Sequence, residues 1–136
     1  MNLLDNIKVT VVNTTAATGT TALNTSSVDM QGFDGVLFVG ALATANAGNS
    51  INVAQSSDDT TFVDLAGTKQ VPATSADLVA IDIFKPAKRY LRAEIVRAGA
   101  TTVAEAVYAI QYRARKAPVE SIATQETHVS PAEGTA

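Results

Sequence analysis

The chain has 136 residues, 46% of them hydrophobic, with no cysteine and a formal net charge of −3. That length predicts one domain that can bury a core without covalent staples. The missing cysteines exclude disulfides and thiolate metal sites, and the acidic balance argues against a general nucleic-acid binder. No apolar run approaches the ~20 residues of a spanning helix, so no membrane segment is expected. The opening MNLLDN lacks the basic and apolar regions of a signal peptide. The hydrophobic residues are mostly small, 24 alanines against four Phe, three Tyr and no Trp. Such a core buries little area per side chain, which favours a module stabilised by assembly.

In chain order, IKVTVV at residues 7–12 alternates and predicts a half-buried strand. NTTAATGTT at 13–21 is too rich in Thr and Gly for a helix and reads as a loop or loose edge segment. ALNTSSVDM at 22–30 alternates weakly and predicts a short strand. Gly32 and Gly35 then bracket a turn at Phe33-Asp34. Residues 36–42 are apolar on both alternating sets, which predicts a central strand covered on both sides, as in a sandwich whose outer face meets a partner. Further strands are expected at 51–55 and 62–65, joined by the polar turn SSDDTT. That turn lacks the alternating ligands and glycine of a calcium loop.

DLVAIDIF at 77–84 puts Val79, Ile81 and Ile83 on one face. A basic corner, KPAKR, follows. YLRAEIVRA at 90–98 then sets Leu91, Ala93 and Ile95 on one side, with Arg97 continuing it. Residues 102–116 are ambiguous. Val103, Val107, Ile110 and Ala114 form a helical stripe. As a strand, Ala104, Ala106, Tyr108, Ile110 and Tyr112 share a face. The short turn before it and its two tyrosines favour the strand. The expected fold is therefore all-β: an antiparallel β-sandwich or jelly-roll-like domain over 1–116, with an extended arm over 117–136.

Charge is distributed unevenly. Eight of the ten basic residues lie between Lys85 and Lys116, opposed there only by Glu94 and Glu105. If the last strands are neighbours, one face is positive and another negative, which suits packing against an acidic surface. Lys85, Lys88, Arg89 and Arg92 are the candidate partner-interface residues. No catalytic, cofactor or metal site is nominated. His128 is the one histidine, and no HExxH, P-loop, GxSxG or GxGxxG motif occurs. The chain is therefore expected not to be an enzyme and to need no cofactor.

The segments GFDGVLFVGAL, INVAQSSDDTTFVDLAG, KPAKRYLRAEI and VAEAVYAIQYRARK resemble small virion structural proteins encoded among the head genes of tailed bacteriophages and prophages. The resemblance spans roughly residues 32–116 and carries no site residues. It implies a β-sandwich module that decorates, cements or completes a capsid. On that basis the expected role is a capsid decoration or cement protein, made in the host cytoplasm and held on the virion surface. Its partner would be the major capsid protein and its own state a homo-oligomer, with a trimer favoured and no direct nucleic-acid contact. A head–tail connector or tail component is the alternative. A carbohydrate-binding adhesion module is a second alternative, against which the absence of Trp counts.

Overall fold

The computed structural model describes residues 2–43, 48–73, 77–97 and 102–119, with single residues at 126, 132 and 133. Most of the arm expected over 117–136 lies outside the described residues. The described residues form eleven strands: β1 (Lys8–Asn13), β2 (Ala16–Gly19), β3 (Leu23–Asn24), β4 (Val28–Asp29), β5 (Gly35–Ala41), β6 (Asn49–Ser56), β7 (Val63–Asp64), β8 (Leu78–Phe84), β9 (Tyr90–Arg97), β10 (Thr102–Ala104) and β11 (Val107–Tyr112). No helix occurs among the described residues. The fold is an all-β antiparallel sandwich. One sheet runs β1-β11-β5-β8; the other runs β3-β9-β6-β7, with β4 also paired to β9. β2 and β10 form a separate two-stranded ribbon.

Alternation explains the layers. Val36 and Phe38 of β5, Val79 and Ile81 of β8, and Val107 and Ala109 of β11 turn inward. They meet Val28, Ile51, Val53, Leu91, Ala93 and Ile95 of the second sheet in one continuous core. Burying each large side chain stabilises the fold by about 1.5–3 kcal/mol. Gly40 is small because Val107 packs on it: a Cβ there would approach a Val107 methyl to 2.8 Å.

Several elements differ from the expectation. The segment over 22–30 is not one strand. β3 and β4 both pair with β9, and between them Thr25 is buried with its hydroxyl accepting from the Ala93 N–H at 3.0 Å. A side chain thus replaces a ladder bond and breaks the edge. Residues 16–19, read as loop or loose edge, form β2 against β10. The third apolar run yields only the two residues of β7. Residues 102–116 divide into β10 and β11. The buried set changes phase between them, from Thr102 and Ala104 to Val107, Ala109 and Gln111. Ala104 therefore faces inward and Tyr108 outward, not the shared face that an unbroken strand would give.

The last strands are also not neighbours. β5 separates β8 from β11, and β9 lies in the other sheet. Lys85, Lys88, Arg89 and Arg115 consequently gather at one end of the sandwich, with Asp34 among them and Asp29 paired to Arg89, rather than spreading with Arg92 and Arg97 over one face.

Arg97 continues the inward side of β9, as its spacing predicts. It is buried, with Nε donating to the Thr21 carbonyl at 2.8 Å and Nη1 to the Thr102 carbonyl at 3.1 Å. Hydrogen bonds to main-chain carbonyls are what allow a guanidinium to sit there.

Candidate interaction surfaces

The first surface is the end where β8 turns into β9. An open cleft of about 510 Å³ lies between residues 30–34 on one wall and residues 85–89 on the other, with Arg115 alongside. Main-chain bonds fix its shape. The Lys85 N–H donates to the Asp34 carbonyl at 2.7 Å, the Met30 N–H to the Arg89 carbonyl at 2.8 Å, and the Arg115 N–H to the Gly32 carbonyl at 2.8 Å. Gly32 has φ of 89°, a backbone state in which a side chain is strained.

The cations here are mostly tied to neighbours. Arg89 forms a two-pronged pair with Asp29, Nε to Oδ1 at 2.8 Å and Nη2 to Oδ2 at 2.7 Å, and also reaches Gln31 at 2.6 Å. This bonding holds the Asp29 carboxyl below the usual carboxylate range and raises the guanidinium in turn. Asp34 sits between Arg115 at 3.3 Å and Arg113 at 3.9 Å. Of the four residues nominated from sequence, Lys85, Lys88 and Arg89 line this cleft. Arg92 does not. It lies on the outer face of the second sheet, paired with Glu94 at 2.6 Å and set 4.0 Å over the Phe62 ring.

The second surface is the outer face of the four-stranded sheet. Cross-strand register places Val11, Tyr108, Val39 and Ala80 in one row, and Val9, Ile110, Leu37 and Asp82 in the next. Beyond these lie Tyr112, Gly35 and Phe84 at one end and Ala41 with Leu78 at the other. Four large side chains on this face are substantially exposed: Leu78 at 72%, Val11 at 52%, Phe84 at 47% and Tyr108 at 43%. Val11 and Tyr108 are cross-strand neighbours in one row, whereas Leu78 and Phe84 stand at the two ends of β8.

The end row is built around Gly35. A Cβ there would collide with the Tyr112 ring, so the glycine lets Tyr112 lie down across the strand. The ring stacks on Phe84 with centroids 6.4 Å apart and planes 5° from parallel. The Tyr112 hydroxyl donates to Asp82 Oδ1 at 2.6 Å. Burial, with help from Asp82, pushes the phenol up to about 12. Lys85 and Arg113, both with positive φ, each place their cation 5.4 Å from the Phe84 ring centroid.

Sequence reasoning did not nominate this face beyond β5. The signal was present, because β1, β5, β8 and β11 carry apolar residues on both alternating sets, whereas the outer set of β9 is interrupted by Arg92 and Glu94. No group of three or more His, Cys, Asp or Glu able to hold a metal occurs among the described residues.

No protein-family model matches the chain, and no curated protein matches it. Its structure is similar to the crystal structure of the SPBc2 prophage-derived protein YomS. The TM-score is 0.50 at 8% identity, over 78% of this chain and 92% of that chain. A likeness at that identity is one of fold.

Proposed function

We propose that the chain is a non-enzymatic structural protein of a tailed-phage particle, acting as a decoration or cement module that bridges major capsid subunits on the head. The observation that carries this reading is the outer face of the four-stranded sheet, where Val11 and Tyr108 stand exposed side by side and Leu78 and Phe84 stand exposed at the two ends of β8. That is a surface for association. The prophage origin of YomS supports the setting, as does the resemblance of residues 32–116 to phage head proteins. The mechanism is mechanical. Each copy buries apolar face and pairs charged end residues against its neighbours, adding contacts that hold capsid subunits together.

The test is the copy number of the chain in purified particles, measured by mass spectrometry against the major capsid protein. One copy per one or a few capsid subunits is the expected result. About a dozen copies or fewer per particle would move the protein to the neck or tail, where closed rings form. Absence from particles would end the virion reading. The exposed Phe84–Tyr112 stack favours a carbohydrate-binding module as the second reading. Saturable sugar binding that a Phe84→Ser variant abolishes would establish that alternative.

A further inference from the structure

We propose that the open edge of β8 takes up an extended segment of another protein, which adds to the four-stranded sheet as an antiparallel fifth strand. This goes beyond the virion reading, which rests on the outer face and the charged end.

β8 is the outermost strand of its sheet and pairs with β5 over seven residues without a register shift. Two main-chain bonds fix which of its groups point outward. The Lys85 N–H donates to the Asp34 carbonyl, one step beyond the Phe84–Gly35 pair. On the opposite side of β5, the Ala41 carbonyl accepts from the Glu105 N–H. Bonded and non-bonded pairs alternate along an antiparallel ladder. Val79, Ile81 and Ile83 therefore bond to β5, while Leu78, Ala80, Asp82 and Phe84 turn their main-chain N–H and C=O groups to the open edge. Among the described residues, no hydrogen bond reaches those groups.

The other edges are blunted in the ways that discourage strand addition. The register of β1 shifts between Val11 and Asn13, and the Ser26 N–H donates to the Val12 carbonyl at 2.8 Å. The β3–β4 edge is interrupted by Thr25. Beyond β6 the second sheet is closed by the two-residue β7 and by Gln70. β8 has no bulge, no Lys and no Pro.

A row of unpaired main-chain groups is satisfied by a second extended backbone, whose alternate side chains set the specificity. The inner set of such a segment lies beside Val79, Ile81 and Ile83 at the rim of the core, so it is apolar. On the outer set, the residue opposite Asp82 is a cation, because Asp82 is exposed and forms no ion pair among the described residues. Opposite charges across strands are favourable. A cleft of about 440 Å³, lined by residues 70–73 and 77–80, runs beside the start of the edge. A single segment has a place between these walls, whereas a second copy would have to seat a whole sheet there. The β8 of a second copy also brings an acid and no cation.

The test uses the purified full chain and a synthetic peptide, acetyl-TVKVTVT-amide. With its first threonine opposite Phe84, its lysine meets Asp82 and its valines form the inner set. Amide hydrogen exchange read by nuclear magnetic resonance reports on the edge directly. In the free chain, the amides of Ala80, Asp82 and Phe84 should exchange at least about ten-fold faster than those of Val79, Ile81 and Ile83. Peptide at about 1 mM should slow the fast set at least about five-fold. N-methylation of the peptide's lysine, whose N–H points at β8, should abolish the effect. N-methylation of its central valine, whose N–H points away, should leave it. Glu in place of that lysine should weaken binding at least about three-fold. Ala80→Pro removes one outward donor without touching the bonds to β5 and should weaken binding at least about ten-fold. Circular dichroism confirms that this variant is folded.

Outward amides as slow as the inward set in the free chain, or no slowing with peptide, would overturn the proposal. So would equal effects of the two N-methylated peptides, or equal binding of the Lys and Glu peptides. Slowing that tracks chain concentration without peptide would make a second copy the occupant and also overturn it. None of these outcomes depends on the copy number in particles.

Discussion

The two sheets of this sandwich share one core but finish their outer faces in opposite ways. On the β3-β9-β6-β7 sheet, polar side chains satisfy one another. Arg92 pairs with Glu94 and covers the Phe62 ring, and Asn52 donates to Asp64 at 2.9 Å. Ala54, beside Arg92 in register, is fully buried. The edge of that sheet is closed by residues 65–70, where Ile51 and Gln70 exchange main-chain bonds of 3.0 and 2.8 Å. The Thr68 hydroxyl also accepts from the Val53 N–H at 3.1 Å. On the β1-β11-β5-β8 sheet, the outer face carries Val, Leu, Ile, Phe and Tyr, with Asp82 as its one acid among the register rows. One face is finished by contacts within the chain, and the other keeps large apolar side chains exposed. A sheet with a dressed polar face needs no partner, whereas a sheet with two apolar faces has a core on one side and an interface on the other.

Substitution can break this contrast, and the largest effect belongs to Gly35→Ala. The added methyl forces the Tyr112 ring off its strand and undoes the Phe84 stack and the Asp82 bond together. A loss of about 1–3 kcal/mol is expected in urea unfolding; an unchanged midpoint would mean that the ring is not held there. Next comes Arg92→Ala on the polar face, which removes a contact to the Phe62 ring and an ion pair whose two side chains are 22% and 23% exposed. It should cost about 1–2 kcal/mol by the same assay.

A smaller effect follows from pH. The Tyr112 phenol has a folded-state value raised to about 12. Its contribution to stability is therefore complete below the ordinary tyrosine range near 10 and is lost as pH rises through about 12. Ultraviolet titration should show a late-ionising tyrosine that Tyr112→Phe removes. A titration of wild type identical to that of Tyr112→Phe would contradict the hydrogen bond to Asp82. The smallest effect is expected for Leu78→Ser on the apolar face. In dilute solution it should change stability by no more than about 0.5 kcal/mol, because Leu78 is 72% exposed. A cost comparable to that of Arg92→Ala would erase the contrast between the faces.

Strands with a clear period of two could be read directly. β8 and β9 stand where their alternation places them, and the inward set of β9 includes Arg97 as its spacing implies. What escaped reading depended on partners distant in sequence. The Thr25 hydroxyl replaces a strand bond only because Ala93 lies opposite it. The pairing of β2 with β10 joins two weak segments more than 80 residues apart. The phase change near Glu105 cannot be seen in a run that suits helix and strand alike.

The surfaces divide in the same way. The basic corner was legible as composition, but Asp29 at the end of β4 and Asp34 just after it, which tie up Arg89, Arg113 and Arg115, lie about 60 to 80 residues earlier. Arg92 parted from that corner because one more residue of strand carried it onto the other sheet's outer face. The apolar face needed sheet order: its four strands are separate in sequence, and each alone shows only a few extra apolar residues.

The central claim is that the apolar face, and not the polar one, is where this chain associates. Hydroxyl-radical footprinting of the chain when dilute and when concentrated tests it directly. The prediction is that Leu78, Phe84 and Tyr108 lose reactivity as concentration rises, while Phe62 and Val63 keep theirs. Protection of Phe62 and Val63 with Leu78, Phe84 and Tyr108 still reactive would contradict the account and move the interface to the opposite side of the sandwich.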